Sequence, residues 1–296
     1  MNTRRGTIDW LMDRNLIAAS RQCPVCNDEM KLSLDVSKKS ASEGWRWSCR
    51  KRVDSVLHQR FKSVRADSWF SKSNLTIAEI LEITYWLSRG VQQTVIQTEM
   101  GLSSKTIVDW ASFFREVCEL VVFDNCKAIG GPGKVVEIDE SKFGKRKFNR
   151  GRCVDGQWVF GGIERGNNKN VFMVSVDKRD SDTLIPIIEK WILPGTTIMS
   201  DCWKAYSSLN QRGFEHLTVN HSVTFVDPDT NACTNLIENQ WLHAKKNFPK
   251  YGTVKGHFDS YLGHYLWRCR VGDEDPFLHF LKDVSKIYKS NQINVP

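Results

Sequence analysis

Three acidic residues lie at the ends of predicted elements, where their carboxylates can come together. Asp139 ends the apolar segment KVVEID, Asp201 ends GTTIMSD, and Glu238 lies early in the helical segment TNLIENQWLHAKKNF. If the first two segments are neighbouring strands, Asp139 and Asp201 extend from adjacent strand ends, and Glu238 can complete the group from a covering helix. Three oxygen ligands suit Mg²⁺ or Mn²⁺, and a pair of such ions promotes phosphodiester displacement. Taken singly, each acid is better explained as a helix cap or a solvent-facing side chain.

A basic segment follows Asp139 and Glu140 directly. It contains Lys142, Lys145, Arg146, Lys147, Arg150 and Arg152. Such a segment can offset the repulsion between a carboxylate cluster and a polyphosphate backbone. We predict phosphate contacts from Lys142, Lys145, Arg146 and Lys147, and from Lys245 and Lys246, about two helical turns beyond Glu238. A plain solvated loop explains the segment equally well. Trp203 and Trp241 are expected to pack in the core around the acids.

Four residues near the N-terminus have the types and spacing of a structural zinc site. The segment CPVC supplies Cys23 and Cys26, and Cys49 and His58 follow downstream. Two close thiolates and a distant second pair provide the four ligands of tetrahedral zinc. The segment between the pairs is too short for its own apolar core, so metal can supply the missing folding free energy. His58 is the weakest ligand assignment, because it lies farther from Cys49 than is usual for a second pair.

The elements that must position these residues fall into a helical region and a mixed region. Apolar residues at three-to-four spacing predict one helix that ends at Gly90, a shorter helix that ends at Gly101, and a long helix capped by Ser103 or Ser104. This order is that of a helix-turn-helix, in which Ser103, Ser104 and Lys105 would face a DNA groove; an ordinary three-helix bundle fits equally well. After the linker NCKAIGGPGK, the sequence predicts three strands, a helix, a strand, a helix, a strand and a final helix. This order is typical of a mixed α/β sheet.

Composition narrows the class of protein. The chain has 296 residues and a net charge of +8, and residues 1–75 hold fifteen lysines and arginines against eight acids. Localised positive charge favours a polyanionic partner, most often nucleic acid. The nine cysteines are irregularly scattered, which argues against a disulfide framework. No apolar run is long enough for a membrane span, and the N-terminus lacks a signal-peptide pattern, so we expect an intracellular protein without a membrane partner.

Three segments resemble the catalytic blocks of Merlin-type DNA transposases and their bacterial insertion-sequence relatives: VVEIDESKFGKRK, MSDCWKAYSSL and TNLIENQW. WRWSC and SVRADSWF, with the helical region, resemble the N-terminal part of that family, and the likeness spans roughly residues 20 to 270. The resemblance implies an RNase H-like catalytic domain with a DDE triad of Asp139, Asp201 and Glu238. Relatives usually have a fourth cysteine where this chain has His58, which is also a competent zinc ligand.

These observations define a full set of expectations. The predicted domains are a basic zinc-binding unit (1–74), a helix-turn-helix domain (75–124), a linker (125–134) and an RNase H-like catalytic domain (135–296). The predicted function is metal-dependent cleavage and strand transfer of double-stranded DNA by a transposase that forms a homo-oligomer on DNA. The alternatives are a domesticated, transposase-derived DNA-binding protein and an RNase H-like nuclease without strand transfer. A nuclear location is favoured in a eukaryotic host, and otherwise a cytoplasmic one with the nucleoid.

Overall fold

The computed structural model describes residues 4–35, 44–53, 55–124, 127–144, 156–220, 226–228, 230, 232–249 and 255–291. The chain forms two compact units. The first contains Met1–Val117 together with Glu274–Pro296, and the second contains Cys118–Asp273. The C-terminal residues therefore belong with the N-terminal unit, whereas the sequence analysis places them in the catalytic domain. Among the described residues, no helix combines the length and apolar character that a membrane crossing requires.

The first unit begins with a helix and a small antiparallel sheet. Helix α1 (Arg4–Asp13) is followed by β1 (Lys31–Leu34), β2 (Trp45–Val53) and β3 (Val56–Ser63), which lie in the order β1-β2-β3. Strands β2 and β3 pair along their length from Arg46 opposite Ser63 to Val53 opposite Val56. The sheet is too small to bury much apolar surface, so its folding depends on what else links the strands.

Three helices follow in the predicted order: α2 (Ile77–Ser88), α3 (Gln93–Met100) and α4 (Ser104–Asp124). Helix α2 begins with a capping box, in which Thr76 and Glu79 each accept a hydrogen bond from the other's backbone N–H. Helix α3 ends at Gly101, whose φ of 63° is the left-handed conformation that glycine adopts without strain. Ser103 accepts a hydrogen bond from the Thr106 backbone N–H at 3.1 Å, which confirms the predicted cap of α4.

The last helix, α8 (Pro276–Asn291), completes the core of the first unit. Phe280 of α8 stacks on Phe114 of α4, with ring centroids 4.1 Å apart, and makes an edge contact with Trp69. Arg89, after α2, forms an ion pair with Asp275, immediately before α8. The helical region thus acquires part of its core from a distant segment, with Asp275 lying 186 residues after Arg89, which no local pattern could indicate.

The second unit is built on a mixed five-stranded sheet with the order β10-β9-β5-β6-β7. Its strands are β5 (Val135–Phe143), β6 (Gln157–Glu164), β7 (Val171–Val176), β9 (Thr197–Asp201) and β10 (Glu215–Val219). Strands β5, β6 and β7 are antiparallel neighbours, whereas β9 pairs in parallel with β5 and with β10. The short strands β4 (Ile129–Gly130) and β8 (Ile192–Leu193) form a separate parallel pair. The predicted mixed α/β class is therefore confirmed.

Helices cover both faces of this sheet. On one face, Ile138, Phe160 and Phe172 pack against α5 (Ser181–Trp191), which contributes Leu184 and Ile188 to the core. On the other face lie α6 (Asn235–Asn247) and α7 (Phe258–Val271), which contact β5 and β7. Because side chains alternate along a strand, the odd-numbered residues of β5 face α6.

Two local predictions differ from the structure. The helix predicted after Asp201 is instead two short 3₁₀ turns, Lys204–Tyr206 and Leu209–Arg212. The next predicted strand is the segment LTVNHSVTFV (217–226), whereas β10 is Glu215–Val219; residues 221–225 lie outside the described part of the chain. Tyr206 and Leu209, one in each turn, are both fully buried in the core beside α5.

Candidate active site and metal-binding cluster

The three predicted acids lie on one face of the sheet, where β9 ends beside the middle of β5. Val135 pairs with Thr197 and Glu137 with Met199 in the parallel β5–β9 ladder, so Asp139 and Asp201 continue the same register on the same face. Glu238 lies in the first turn of α6, which packs on that face. The charges of Asp201 and Glu238 both act on Asp139 and disfavour its ionisation. Two strands and a helix that are distant in sequence therefore hold these carboxylates close enough for their charges to interact.

Asp139 is partly shielded from solvent. Burial raises its pKa to about 6, and the neighbouring carboxylates add to this effect. The indole N–H of Trp241 donates a hydrogen bond to Asp139 Oδ2 at 2.9 Å and partly offsets the shift. Trp241 is buried, as predicted, and it also orients the first acid.

Gly161 creates the space that Trp241 occupies. It lies directly opposite Asp139 in the β5–β6 ladder. A Cβ atom at this position would come within 2.7 Å of Trp241 Cη2 and within 2.9 Å of the Phe172 carbonyl oxygen. Any larger residue here would therefore clash with the indole that donates to Asp139. The sequence analysis did not identify this residue, although the GG pair inside an apolar strand was a signal of close approach.

Glu137 holds the beginning of α6 against β5. Its carboxylate accepts hydrogen bonds from the backbone N–H groups of Leu236 at 2.8 Å and Ile237 at 3.2 Å. Arg165 Nε pairs with the same carboxylate at 2.7 Å, and the Glu137 side chain is 2% exposed. The first N–H groups of a helix have no partners within the helix, and a negative charge there is favourable. Glu137 was not identified from sequence, because its partner segment lies 99 residues away.

The other two acids also have fixed partners. The backbone N–H of Trp203 donates to Asp201 Oδ1 at 3.0 Å. The Thr234 hydroxyl donates to Glu238 Oε1 at 3.1 Å. Carboxylate oxygens of this kind are the ligands that Mg²⁺ and Mn²⁺ prefer. Within the described residues, the three acids do not form a group whose ligand atoms all lie within 4.8 Å of one another.

Glu140, next to Asp139 in β5, is a fourth acid, and its side chain extends to the opposite face of the sheet. Burial, Asp139 and Asp201 raise its pKa to about 8, and only Arg179 opposes the shift. The Tyr206 hydroxyl donates a hydrogen bond to Glu140, and Arg179 lies 3.8 Å away. Glu140 therefore anchors the turn after β9 and the segment after β7.

The predicted zinc ligands form a compact cluster in the first unit. The ligand atoms of Cys23, Cys26, Cys49 and His58 all lie within 4.8 Å of one another. His58 Nε2 lies 3.5 Å from Cys23 Sγ and 3.4 Å from Cys49 Sγ, and Cys26 Sγ lies 3.6 Å from Cys49 Sγ. A zinc tetrahedron with Zn–S near 2.3 Å and Zn–N near 2.0 Å has ligand-to-ligand edges of about 3.5–3.8 Å. The donor set and its spacing therefore fit structural zinc.

Strand pairing explains the wide spacing of Cys49 and His58. In the β2–β3 ladder, Cys49 lies opposite Arg60 and Lys51 lies opposite His58. Cys49 and His58 are therefore diagonal neighbours on one face of the hairpin. Burial raises the pKa of Cys49 to about 12, whereas the backbone N–H of Cys26 lowers the pKa of Cys23 to about 6. Buried thiols of this kind ionise together only when a cation compensates their charge.

The predicted DNA-contacting residues are distributed over both units. In the first unit, Ser103, Ser104 and Lys105 are exposed at the start of α4. In the second, Lys245 donates to Ser141 Oγ at 2.6 Å on the Asp139 side of β5, and Lys246 is exposed. Lys142 extends to the other face, where its ammonium group lies 5.7 Å from the Trp158 ring centroid. Lys145, Arg146 and Lys147 lie outside the described residues.

Comparison with known proteins identifies the family to which the chain belongs. Residues 130–269 match the ISXO2-like transposase domain, and this stretch contains all three acids. A 117-residue alignment shows 32% identity to an uncharacterized transposase-like protein of Haemophilus influenzae, covering 39% of this chain and 94% of that protein. The chain belongs to the ISXO2-like transposase family. The predicted relationship to insertion-sequence transposases is thereby confirmed, while the Merlin subtype stays a prediction.

Proposed function

We propose that this member of the ISXO2-like family is a DNA transposase whose catalytic residues are Asp139, Asp201 and Glu238. The observation that carries the proposal is the meeting of these acids, from three separate elements, inside the segment that matches the family domain. Family membership suggests a DNA-cleaving enzyme in general. A DDE triad gives that activity a specific mechanism, namely metal-dependent cleavage followed by strand transfer.

The proposed fold of the second unit is RNase H-like. Its support is the order of the sheet, with an antiparallel trio (β7-β6-β5) extended by two parallel strands (β9, β10) and β5 in the centre. In this arrangement the end of β9, where Asp201 lies, is beside the middle of β5, where Asp139 lies. Proteins that share a fold differ in chemistry, so the acids rather than the fold carry the functional argument.

The donor set of the acid cluster suits Mg²⁺ or Mn²⁺. Asp139, Asp201 and Glu238 offer oxygen ligands only, and a divalent cation would favour the ionised form of Asp139, whose pKa is raised by burial and by the two neighbouring carboxylates. When bound, such ions would activate the attacking hydroxyl and stabilise the leaving oxygen. The protein's own contribution is orientation. Trp241 fixes Asp139, the Trp203 backbone N–H fixes Asp201, and the Thr234 hydroxyl fixes Glu238.

DNA recognition is proposed to reside in the first unit. Helices α2, α3 and α4 have the lengths and order of a helix-turn-helix, and Lys105 is exposed at the start of α4, where a recognition helix reads base edges. The exposed cations Arg50, Lys51 and Arg52 on β2 are suited to phosphate contacts. Lys105→Ala should then change the preference among DNA sequences, whereas loss of the β2 cations should weaken binding to all sequences alike.

The decisive experiment is incubation of the purified protein with the DNA that flanks its coding sequence, in Mg²⁺ or Mn²⁺. Joined products indicate a transposase, cut products without joining indicate a nuclease, and shifted but intact DNA indicates a binding protein. Asp139→Asn, Asp201→Asn and Glu238→Gln should each abolish cleavage and retain DNA binding, because phosphate contacts come from Lys and Arg. The matched control is Glu189→Gln, an exposed carboxylate of α5. A triad variant that cleaves at the wild-type rate would remove that residue from the mechanism.

A further inference from the structure

Trp203 is an exposed aromatic side chain beside the acid cluster. It is 43% exposed, in contrast to the core position expected from the sequence. It follows Asp201 by two residues, and its backbone N–H donates to Asp201 Oδ1. A single exposed apolar side chain is common on protein surfaces. This one differs because its ring is held in place by two separate contacts.

The first contact is a hydrogen bond from the indole Nε1–H of Trp203 to the Arg179 carbonyl oxygen, at 3.2 Å. The second is the Arg179 guanidinium, whose Cζ lies 5.1 Å from the Trp203 ring centroid and 3.7 Å from that of Trp158. A guanidinium nitrogen also lies 3.8 Å from a Glu140 carboxyl oxygen. The ring is thus pre-organised although much of it remains exposed, so a ligand that stacks on it has little side-chain entropy to remove.

The surroundings of the ring are charged rather than apolar. The neighbouring Lys178 and Lys204 are exposed, and Arg179 lies against the ring. Asp180, one of the nearby acids, is engaged as the N-cap of α5, where it accepts from the Thr183 backbone N–H. An aromatic face bordered by cations suits a nucleotide, whose base stacks while its phosphate is neutralised. A protein partner would instead require a larger apolar patch.

We propose that Trp203, supported by Arg179, is a stacking platform for an unpaired nucleobase of the DNA strand at the acid cluster. This inference rests on the proposed transposase function. Both faces of a paired base are covered by its neighbours in the duplex, so only an unpaired or extruded base can stack on a side chain. The platform lies next to Asp201, so it would hold the nucleotide that flanks the reacting phosphate. The interaction does not depend on base identity, because every base has a π-face.

The test uses full-length protein without added Mg²⁺ or Mn²⁺, so that no catalysis is needed. The probes are a short DNA strand with one fluorescent aminopurine base and the same strand annealed to its complement. We expect wild-type protein to quench the aminopurine in the single strand. Trp203→Ala should abolish the quenching and weaken single-strand binding by about 5- to 150-fold, the range that corresponds to loss of one base–aromatic stack. Binding to the duplex should not change.

Two further variants complete the experiment. Trp203→Phe retains an aromatic face and should keep most of the quenching. Leu193→Ala, in β8 of the same unit and at a similar exposure of 44%, should behave as wild type. Normal quenching by Trp203→Ala, or an equal loss of single-strand and duplex binding, would overturn the platform. So would a loss of self-association in Trp203→Ala with unchanged DNA binding, since the ring would then lie between copies of the chain. If the wild-type protein cleaves DNA but does not quench the aminopurine, only the stacking proposal is refuted. If it quenches the aminopurine but does not cleave DNA, the proposed catalysis is refuted.

Discussion

Replacing Glu137 with alanine would remove the carboxylate that holds the start of α6 on the sheet. Three donors lose their acceptor in that variant: the backbone N–H groups of Leu236 and Ile237, and Arg165. A hydrogen bond to a charged group contributes roughly 1.5–3 kcal/mol, and breaking a buried ion pair costs about 3–5 kcal/mol. Because the Arg165 side chain is 30% exposed and can be partly rehydrated, we expect the lower end, about 3 kcal/mol.

Hydrogen exchange of the α6 peptide is the assay, because it reports local opening without assuming two-state unfolding of the whole chain. About 3 kcal/mol corresponds to roughly hundredfold faster exchange of the Leu236 and Ile237 amides. DNA cleavage should fall with it, because Glu238 follows Ile237 directly. Glu137→Gln, which retains an acceptor but loses the charge, should give an intermediate result.

The matched control is Glu189→Ala. Glu189 pairs with Arg212 at 2.7 Å, the same distance as the Glu137–Arg165 pair, but both side chains are about half exposed. An exposed pair contributes at most about 1 kcal/mol, so α6 exchange should not change. If the two amides in a folded Glu137→Ala protein exchange as slowly as in wild type, α6 is held by other contacts and the reasoning is refuted.

Three further outcomes are expected. Gly161→Ala should destabilise the second unit by roughly 1–3 kcal/mol in denaturant titrations, because its methyl group would displace the Trp241 indole. DNA cleavage should fall as well. Unchanged stability would contradict the packing argument. Metal analysis should find about one zinc per chain in wild type and in His58→Cys, but less in His58→Ala. The exposed-thiol control Cys202→Ser should keep its zinc. Equal zinc content in all four proteins would show that His58 is not a ligand. Thr76→Ala should lower the stability of the first unit by about 1 kcal/mol on thermal melting, and no shift would argue against the capping box.

Local signals in the sequence were sufficient for α2, α3 and α4, whereas α1 and α8 of the same unit were not predicted. The spacing of apolar residues, Gly101 and the Ser103 cap all act within one or two helical turns, so their effect can be read from neighbouring residues. The strand end at Asp201 is also a local feature, since it follows a short apolar run, whereas β5 continues past the predicted end at Asp139 to Phe143. The turns after Asp201 were predicted incorrectly as a helix, because the burial of Tyr206 depends on α5 and on the sheet.

The candidate zinc site was predicted from residue types and spacing, because thiolate and imidazole ligands are chemically distinctive. The doubt about His58 was resolved only by strand register, which places it diagonally across the hairpin from Cys49. For Trp203, in contrast, residue type alone gave the wrong prediction. Its aromatic character predicted a core position, but nothing in its local sequence could indicate that the turn after β9 leaves the ring exposed.

The sequence by itself determined the residues that can do chemistry, since three acids, three thiols and one imidazole are identified by type and by position within short segments. Tertiary structure alone decided how these residues are held. The parallel pairing of β5 with β9 joins segments about 60 residues apart, and the Glu137 contact fixes α6 from 99 residues away. Gly161 has its role because it lies opposite Asp139 and beneath Trp241. These contacts arise from packing between distant segments, and packing is set by the shape of the whole folded core rather than by any local propensity.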